Sequence, residues 1–209
     1  MQQASLDLWH AVGARPVTES AEYLTQQLVT YIGNKRSLLE FIGQGAHIVK
    51  KRLGKERLST FDVFSGSGVV ARYLRRDSER MIANDLERYS AVINRCYLAT
   101  PSSAVLRELK EHHRWLREKL SSDGDLKAGI IAGLYAPKND TAIQSGERVF
   151  YTQRNARFLD TARTLLEEVP EALRNFFLAP LLSEASVHAN TSGVFKGFYK
   201  NSETGVGQF

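Results

Sequence analysis

The order of hydrophobic and polar positions divides the chain at Pro101. Before it, apolar positions alternate between helical spacing and short β-like runs, which predicts helices over 37–53, 69–76 and 89–98 and strands over 58–64 and 81–84. This strand–helix–strand–helix order is typical of an open α/β sheet with right-handed crossovers. After Pro101 the spacing is mainly helical, over 105–120, 155–169 and 172–188. The tail from residue 190 onward contains four glycines and predicts a loop or hairpin.

A run of small residues ends the first predicted strand. Ser65-Gly66-Ser67-Gly68 separates Phe64 from the helical pattern that follows. A glycine-rich turn at this place lets a ligand approach the main chain next to the N-terminus of a helix. Dinucleotides and S-adenosylmethionine both bind in this way, and Asp85, at the end of the second predicted strand, suits the ribose hydroxyls of either ligand. A tight turn without a ligand is the third interpretation.

Two known phosphate-binding patterns fit this turn poorly. The dinucleotide fingerprint has a third glycine where this chain has Ala71, although alanine is sometimes allowed there. The phosphate loop ends in Lys-Ser/Thr, and this turn does not. The turn by itself therefore leaves the identity of the ligand open.

Charge and composition narrow the class of protein. The 209 residues carry a net charge of +5, and residues 31–60 alone hold seven Lys or Arg against two Glu, which equals that whole excess. Such a basic segment suits a polyanionic partner, although a solvated helix face has the same composition. The single cysteine, Cys96, excludes an internal disulfide and suits a reducing cytoplasm, and we interpret it as a buried inert thiol.

The sequence predicts neither a signal peptide nor a membrane span. The first residues lack a basic start and an apolar run, and the apolar stretches 128–137 and 176–183 are too short to cross a bilayer. We interpret both stretches as core segments and expect a cytoplasmic protein with no membrane partner. His112 and His113 are adjacent and face different sides of a predicted helix, so we expect no metal site.

A further motif lies upstream of the turn. Tyr31-Ile-Gly-Asn-Lys35 places an aromatic residue, a glycine and a lysine at the start of the first predicted helix. Together with the turn from Phe64 to Gly68 and with Asp85 in Asn-Asp-Leu, it resembles the adenine-specific DNA methyltransferases of the DNA adenine methylase type. That family has an aromatic-x-Gly-x-Lys motif, an FxGxG motif and an Asp closing the second strand, in this order. The Tyr31-to-Lys35 motif disfavours a dinucleotide-binding protein.

The resemblance implies a partial Rossmann-like, S-adenosylmethionine-dependent methyltransferase fold with a mainly helical insertion. It also implies that the backbone of the two glycines lies against the methionine part of the cofactor, that the second-strand carboxylate holds the ribose hydroxyls, and that the upstream aromatic and lysine close over the cofactor. The implied cofactor-binding residues are Tyr31, Lys35, Phe64, Ser65, Gly66, Ser67, Gly68 and Asp85.

We divide the chain into three parts on this basis. Weak periodicity over 1–24 predicts a loose N-terminal arm, 25–100 forms the cofactor-binding part, and 101–209 holds the helical insertion with the target-recognition region. Double-stranded DNA is the partner that the resemblance implies. Arginines and lysines among aromatic residues in the third part suggest DNA contacts from Arg148, Arg154, Arg157 and Lys196. Core aromatics with solvated arginines are the alternative.

One departure from the family pattern concerns catalysis. Methylation of an exocyclic amino group requires an Asp/Asn-Pro-Pro-aromatic motif in this family, whereas none of the five prolines is adjacent to another or follows Asp or Asn. We therefore expect an N-terminal portion of the enzyme, inactive alone, with no catalytic residue of its own and with a C-terminal half as partner. Such a portion offers about three of the seven strands that the family implies. A non-catalytic module that binds S-adenosylmethionine or DNA is the alternative.

Overall fold

The structure is a computed structural model that describes residues 20–26, 28–29, 33–191 and 197–209. The chain divides into two compact units, Met1–Thr100 and Pro101–Phe209. In the described part of the chain, no helix combines the length and the apolar character needed to cross a membrane.

The first unit alternates helices and strands, as the sequence predicts. Its elements are α1 (Ala21–Thr25), α2 (Leu39–Leu53), β1 (Leu58–Asp62), α3 (Val69–Arg75), β2 (Ser78–Ala83) and α4 (Arg88–Tyr97), with a 3₁₀ turn at Arg36–Leu38 before α2. The boundaries differ from the prediction at the strands, because β1 ends at residue 62 and β2 already begins at residue 78. Gly54, in the left-handed conformation at φ 62°, ends α2.

The two strands pair in parallel, which confirms the α/β class of the first unit. Helix α3 connects them and packs on one face of the sheet. The other face carries the register pair Phe61 and Ile82, whose side chains remain 56% and 41% exposed. Within the described residues the sheet has these two strands, and the expectation of about three strands stays a prediction.

The end of the predicted loose arm is ordered against α3. Residues 21–25 form α1, and Leu24 and Leu28 are buried at 7% and 3% exposure. Weak apolar periodicity did not reveal this helix, because it is short and its attachment depends on residues far along the chain. Residues 1–19 of the arm lie outside the described residues.

The second unit is helical. Its helices are α5 (Ser103–Lys119), α6 (Ile130–Tyr135), α7 (Gln153–Leu165) and α8 (Glu171–Val187), with 3₁₀ turns at Asp123–Asp125 and Leu166–Glu168. Its buried core cluster consists of Leu116, Leu166, Val169 and Leu173. The tail makes antiparallel bridges between Thr191 and Phe198 and between Lys200 and Gly207, which agrees with the predicted hairpin.

The apolar stretch 128–137 is only in part a core segment. Helix α6 buries Ala132, but Ile130 and Leu134 are 63% and 53% exposed. A six-residue helix turns less than twice, so it presents part of its apolar surface to solvent whichever face it buries.

Candidate functional site

The glycine-rich turn joins the end of β1 to the start of α3. Residues 65–68 are all buried, and Gly66 and Gly68 have φ angles of 51° and 74°. This left-handed region is open to glycine at little cost, whereas a Cβ makes it strained. The Gly68 N–H donates to Ser65 O at 2.7 Å, and the Ser65 N–H donates to Asn84 O at 2.9 Å. The backbone of the turn therefore accounts for both glycines before any ligand is considered.

Asn94 of α4 lies beside Gly68. A Cβ on Gly68 would collide with Asn94 Oδ1. The Asn94 amide donates to Ser65 Oγ at 3.0 Å and to the carbonyl and hydroxyl oxygens of Ser90 at 3.0 and 3.1 Å. The resemblance explained Gly68 by close approach of the cofactor, whereas the structure places a side chain of the same protein in that space. Asn94 was missed in the sequence, where it is one polar residue in a helical pattern.

Asp85 contacts the turn directly. Its Oδ2 accepts the Gly66 N–H at 2.8 Å, and its Oδ1 accepts the Glu87 N–H at 3.0 Å. Two residues that the motifs singled out separately are thus adjacent, because the carboxyl ends of parallel strands meet at one edge of the sheet. Each carboxylate oxygen can accept more than one hydrogen bond, so Asp85 retains capacity for hydroxyl donors.

Two large apolar side chains flank this contact. Phe64 follows β1 and Leu86 follows Asp85, and they are 88% and 96% exposed. Exposed apolar groups next to convergent polar groups are typical of ligand-binding clefts. Phe64 belongs to the predicted set, whereas Leu86 does not. Its position directly after Asp85 was the available signal.

Asp62, like Asn94, has a buried side-chain oxygen in this region that no described residue satisfies. It ends β1, and its Oδ2 is buried with no hydrogen-bond partner among the described residues. Burial raises its pKa, the N–H groups of Ala71 and Phe64 oppose that shift, and the nearby Asp85 carboxylate adds to it. An unpaired buried carboxylate oxygen requires an explanation, and a ligand donor is one. Asp62 is absent from the residues predicted from the sequence, although it stands two residues before Phe64.

The upstream motif is described only from Gly33 onward, and Tyr31 lies outside the described residues. Gly33 has a φ of 82°, which explains the glycine in the motif. The exposed Lys35 donates from Nζ to Gly33 O at 2.6 Å. An ammonium group has three donors, so this contact leaves Lys35 able to bind an anionic ligand group.

The predicted DNA-binding arginines are exposed, but each has a partner in its own chain. Arg154 forms an ion pair with Asp123 at 3.0 Å, and the Arg157 Nε donates to Gln153 Oε1 at 3.2 Å. The Arg148 guanidinium lies 5.6 Å from the centre of the Tyr135 ring. Lys196 lies outside the described residues. Exposed pairs of this kind are weak, so a phosphate can replace the partner.

Cys96 is half-buried, and burial raises its pKa to about 11. The thiol therefore stays protonated at neutral pH, which agrees with the interpretation as an inert side chain. Among the described residues, no three His, Cys, Asp or Glu side chains cluster in a way that would hold a metal ion.

The fold and the turn define an α/β protein with a glycine-rich turn after its first strand, faced by a carboxylate after its second. Within this class, the family model of D12 class N6 adenine-specific DNA methyltransferases matches residues 31–206. The chain belongs to this family, and the resemblance stated from the three motifs is confirmed. No solved structure matches.

Three characterised relatives are similar to the chain. Modification methylase LlaI of Lactococcus lactis subsp. lactis is 30% identical over 182 residues, which cover 81% of this chain and 27% of the relative. Type II methyltransferase M.NlaIII of Neisseria lactamica is 29% identical, covering 83% and 50%. Type II methyltransferase M.CviAII of Paramecium bursaria Chlorella virus 1 is 29% identical, covering 82% and 49%. The chain thus spans half the length of these relatives or less.

Proposed function

We propose that the chain is the cofactor-binding and DNA-binding portion of a site-specific DNA adenine methyltransferase. The reaction moves the methyl group of S-adenosylmethionine to the exocyclic amino group of adenine in duplex DNA. The observation that carries the proposal is the hydrogen bond between the Gly66 N–H and Asp85 Oδ2, at 2.8 Å, inside the region that matches the family. It joins two of the three motifs into one site.

The residues present fit S-adenosylmethionine. Asp85 offers acceptors to the ribose hydroxyls, and the buried Asp62 Oδ2 offers an acceptor to the ammonium group of the methionine part. The exposed faces of Phe64 and Leu86 suit the adenine ring. Lys35 suits the cofactor carboxylate, and Tyr31 completes the set from the upstream motif. When bound, S-adenosylmethionine supplies an electrophilic methyl group on a positively charged sulfur.

The acceptors for the amino hydrogens of adenine come from outside this chain. The sequence has no Asp/Asn-Pro-Pro-aromatic motif, so it lacks both the acceptor pair and the aromatic ring that would stack on a flipped base. We assign this motif to a C-terminal segment, carried by the same protein or by a second polypeptide. The sheet supports this assignment, since Phe61 and Ile82 expose 56% and 41% of their surface, and Val63, directly after β1, exposes 42%. Further strands and helices would cover that apolar face.

Duplex DNA meets basic side chains in both units. In the first unit, the candidates are the exposed cations around the end of α2: Lys51, Arg52, Lys55 and Arg57. Lys50 is a weaker candidate because Asp77 pairs with it at 2.7 Å. In the second unit, the candidates are Arg148, Arg154, Arg157 and Lys196. Phosphate contacts release counterions, so binding through these groups weakens as salt concentration rises.

The test uses transfer of labelled methyl groups from S-adenosylmethionine to adenine-containing duplex. The chain is assayed alone and together with a separately expressed C-terminal segment that carries the Asp-Pro-Pro-Tyr motif. We expect no transfer by the chain alone and transfer by the pair. Robust methylation by residues 1–209 alone would contradict the assignment of catalysis to another segment. Calorimetry provides a second test, of the cofactor. Tighter binding of NAD than of S-adenosylmethionine would contradict the proposal that the cofactor is S-adenosylmethionine.

The missing motif also favours a second candidate function. A non-catalytic module would bind S-adenosylmethionine or DNA through the same residues and transfer no methyl group. The same assay separates the two candidates. Cofactor and DNA binding without transfer, after the C-terminal segment has associated with the chain, would support the module.

A further inference from the structure

We propose that helix α5 of the second unit carries a phosphate-contacting surface for duplex DNA. The inference deepens the proposed function and rests on it, since duplex DNA is the substrate proposed there. The surface, called the α5 basic stripe, consists of four exposed side chains spaced three or four residues apart: Arg107, Lys110, Arg114 and Arg117. None of them was among the DNA contacts predicted from the sequence.

The α5 basic stripe occupies one side of its helix. Each residue of an α-helix turns by about 100°, so residues three and four apart lie next to each other and the four charges follow one line. The apolar side chains of α5 that belong to the buried core cluster or pack against it lie on the opposite side: Val105, Leu109 and Leu116. Core packing therefore fixes the orientation of α5, with the basic side chains toward solvent.

The basic side chains of the stripe are unpaired. In the described part of the chain, the ion pairs of lysine and arginine use other residues: Lys50, Arg76, Arg154 and Arg174. No described residue forms an ion pair or a side-chain hydrogen bond with the stripe. The arginines predicted from the sequence differ in this respect, because Arg154 already pairs with Asp123. A phosphate can bind the stripe without displacing an internal partner.

The order of charges along α5 does not favour pairing within the helix. Like charges three or four residues apart repel each other, and the stripe contains three such pairs in succession. Glu118 lines the same shallow depression as Lys110, His113, Arg114 and Arg117. It follows Arg114 by four residues, which is the less favourable order for a helical ion pair. The stripe therefore suits an external polyanion better than a carboxylate of its own helix.

The length of the stripe matches a short run of DNA backbone. Arg107 and Arg117 are ten residues apart, which is about 15 Å along the helix axis. One strand of B-DNA carries a phosphate about every 3.4 Å of duplex axis, so about four phosphates fall within this length. The match to adenine-specific DNA methyltransferases covers residues 31–206 and thus includes α5, which favours DNA over another polyanion.

The salt dependence of DNA binding tests the inference in the full chain. The variants are Arg114→Gln and a triple variant that combines Lys110→Gln, Arg114→Gln and Arg117→Gln. Each phosphate contact releases counterions, so the slope of log affinity against log salt should become shallower by about 0.9 for the single variant and about 2.7 for the triple variant. Fluorescence anisotropy with a labelled duplex measures the slopes, and circular dichroism checks that the variants are folded.

Lys119→Gln is the matched control. Lys119 is exposed on the same helix but lies about 140° around it from Arg114. The control removes the same charge and should leave the slope unchanged. Equal slopes for the triple variant and the unchanged chain would overturn the inference. A change in Lys119→Gln as large as that in Arg114→Gln would also overturn it, because the effect would then come from net charge alone.

Lysine acetylation gives a second readout that needs no substitution. A reagent that acetylates exposed amines is applied to the unchanged chain with and without duplex, and mass spectrometry measures the modification of each lysine. We expect the duplex to slow acetylation of Lys110 and to leave Lys119 unaffected. Equal acetylation of Lys110 with and without duplex would overturn the inference.

These outcomes separate the inference from the proposed function. Salt-sensitive binding of duplex by the unchanged chain, with no change in the triple variant and no protection of Lys110, would overturn the inference alone. Failure of the unchanged chain to bind duplex at low salt would overturn the inference together with the proposed DNA-binding role.

Discussion

Asp62 of the first unit and Asp160 of the second both have carboxylate oxygens that lie in the protein interior. They differ in how many of these oxygens accept hydrogen bonds. Asp160 lies on α7 and accepts the N–H groups of Gly129, Ile131 and Ala132 at 2.8, 3.0 and 2.8 Å. Asp62 has a buried oxygen with no partner among the described residues, and burial raises its pKa. Backbone donors reach both carboxylate oxygens of Asp160, whereas no donor in the described part of the chain reaches Oδ2 of Asp62.

This difference separates a structural carboxylate from one suited to a ligand. A buried polar group costs free energy unless it is hydrogen-bonded, so a fold keeps an unsatisfied one only where another requirement retains it. In the first unit that group adjoins a glycine turn, a second carboxylate and exposed apolar side chains. In the second unit, Asp160 serves to fix the start of α6. We therefore expect the first site to bind a ligand and the second to stabilise the fold.

The largest expected effect is the loss of Asp160. Asp160→Ala leaves three backbone donors in or near the interior without their acceptor, so we expect the free energy of unfolding to fall by about 3 kcal/mol. Urea unfolding followed by circular dichroism measures it. Asp125→Ala, at an exposed position of the same unit, is the control and should change little. If Asp160→Ala lowers the free energy of unfolding by less than an ordinary surface substitution does, Asp160 is not a structural carboxylate and the contrast with Asp62 fails.

Gly68→Ala comes next and tests what shapes the turn. A methyl group at a φ of 74° that also overlaps Asn94 Oδ1 should cost about 2 kcal/mol of stability. Combining it with Asn94→Ala removes the overlap but not the backbone strain. The double variant should therefore lose less than the sum of the two single losses. Additivity would show that Asn94 does not define the space beside Gly68.

Asp62→Asn tests the role of the Asp62 carboxylate through the pH dependence of stability. Because the folded protein raises the pKa of Asp62, the folded state binds its proton more tightly than the unfolded chain does. This contribution to stability is present at acid pH and is lost as pH rises from about 4 through the folded pKa. Asn carries no charge to desolvate, so the variant should be more stable than the unchanged chain at pH 7, by less than Gly68→Ala costs.

Asp62→Asn should have opposite effects on stability and on ligand binding. If Asp62 Oδ2 accepts the cofactor ammonium group, Asp62→Asn should weaken S-adenosylmethionine binding while it stabilises the protein. Urea unfolding between pH 4 and pH 7 and calorimetry at pH 7 measure the two effects. A variant that is less stable at pH 7 would show that the carboxylate is structural, as Asp160 is.

The smallest effect on stability is expected at Arg154. Its ion pair with Asp123 is exposed on both sides, so Arg154→Ala should change the free energy of unfolding by less than about 0.5 kcal/mol. Its effect on DNA should be larger: Arg154→Ala should weaken duplex binding at low salt, and Asp123→Ala should strengthen it by releasing the arginine. Fluorescence anisotropy at several salt concentrations measures both. Equal binding by all three proteins would exclude Arg154 from the DNA surface.

The order of elements in the first unit and the family followed from the sequence. Alternating apolar patterns predicted β1, α3, β2 and α4, because side-chain periodicity is a local property of each element. The three motifs over residues 31–86 predicted the family, since a turn that needs positive φ angles and a carboxylate at a strand end leave a local signature. The sequence placed Gly66 and Asp85 each at the end of a strand, and the structure adds the hydrogen bond between them.

Only the tertiary structure decided which polar side chains find hydrogen-bond partners. The partners of Asp160 lie 28 to 31 residues away, and Arg72 reaches carbonyls 46 and 49 residues before it. No local pattern announces such contacts, so the sequence revealed neither the attachment of α1, nor Asn94 beside Gly68, nor the partner of Arg154. The unpaired oxygen of Asp62 belongs to the same class of fact. A hydrogen-bond partner is present or absent only once the chain has folded and water has been excluded.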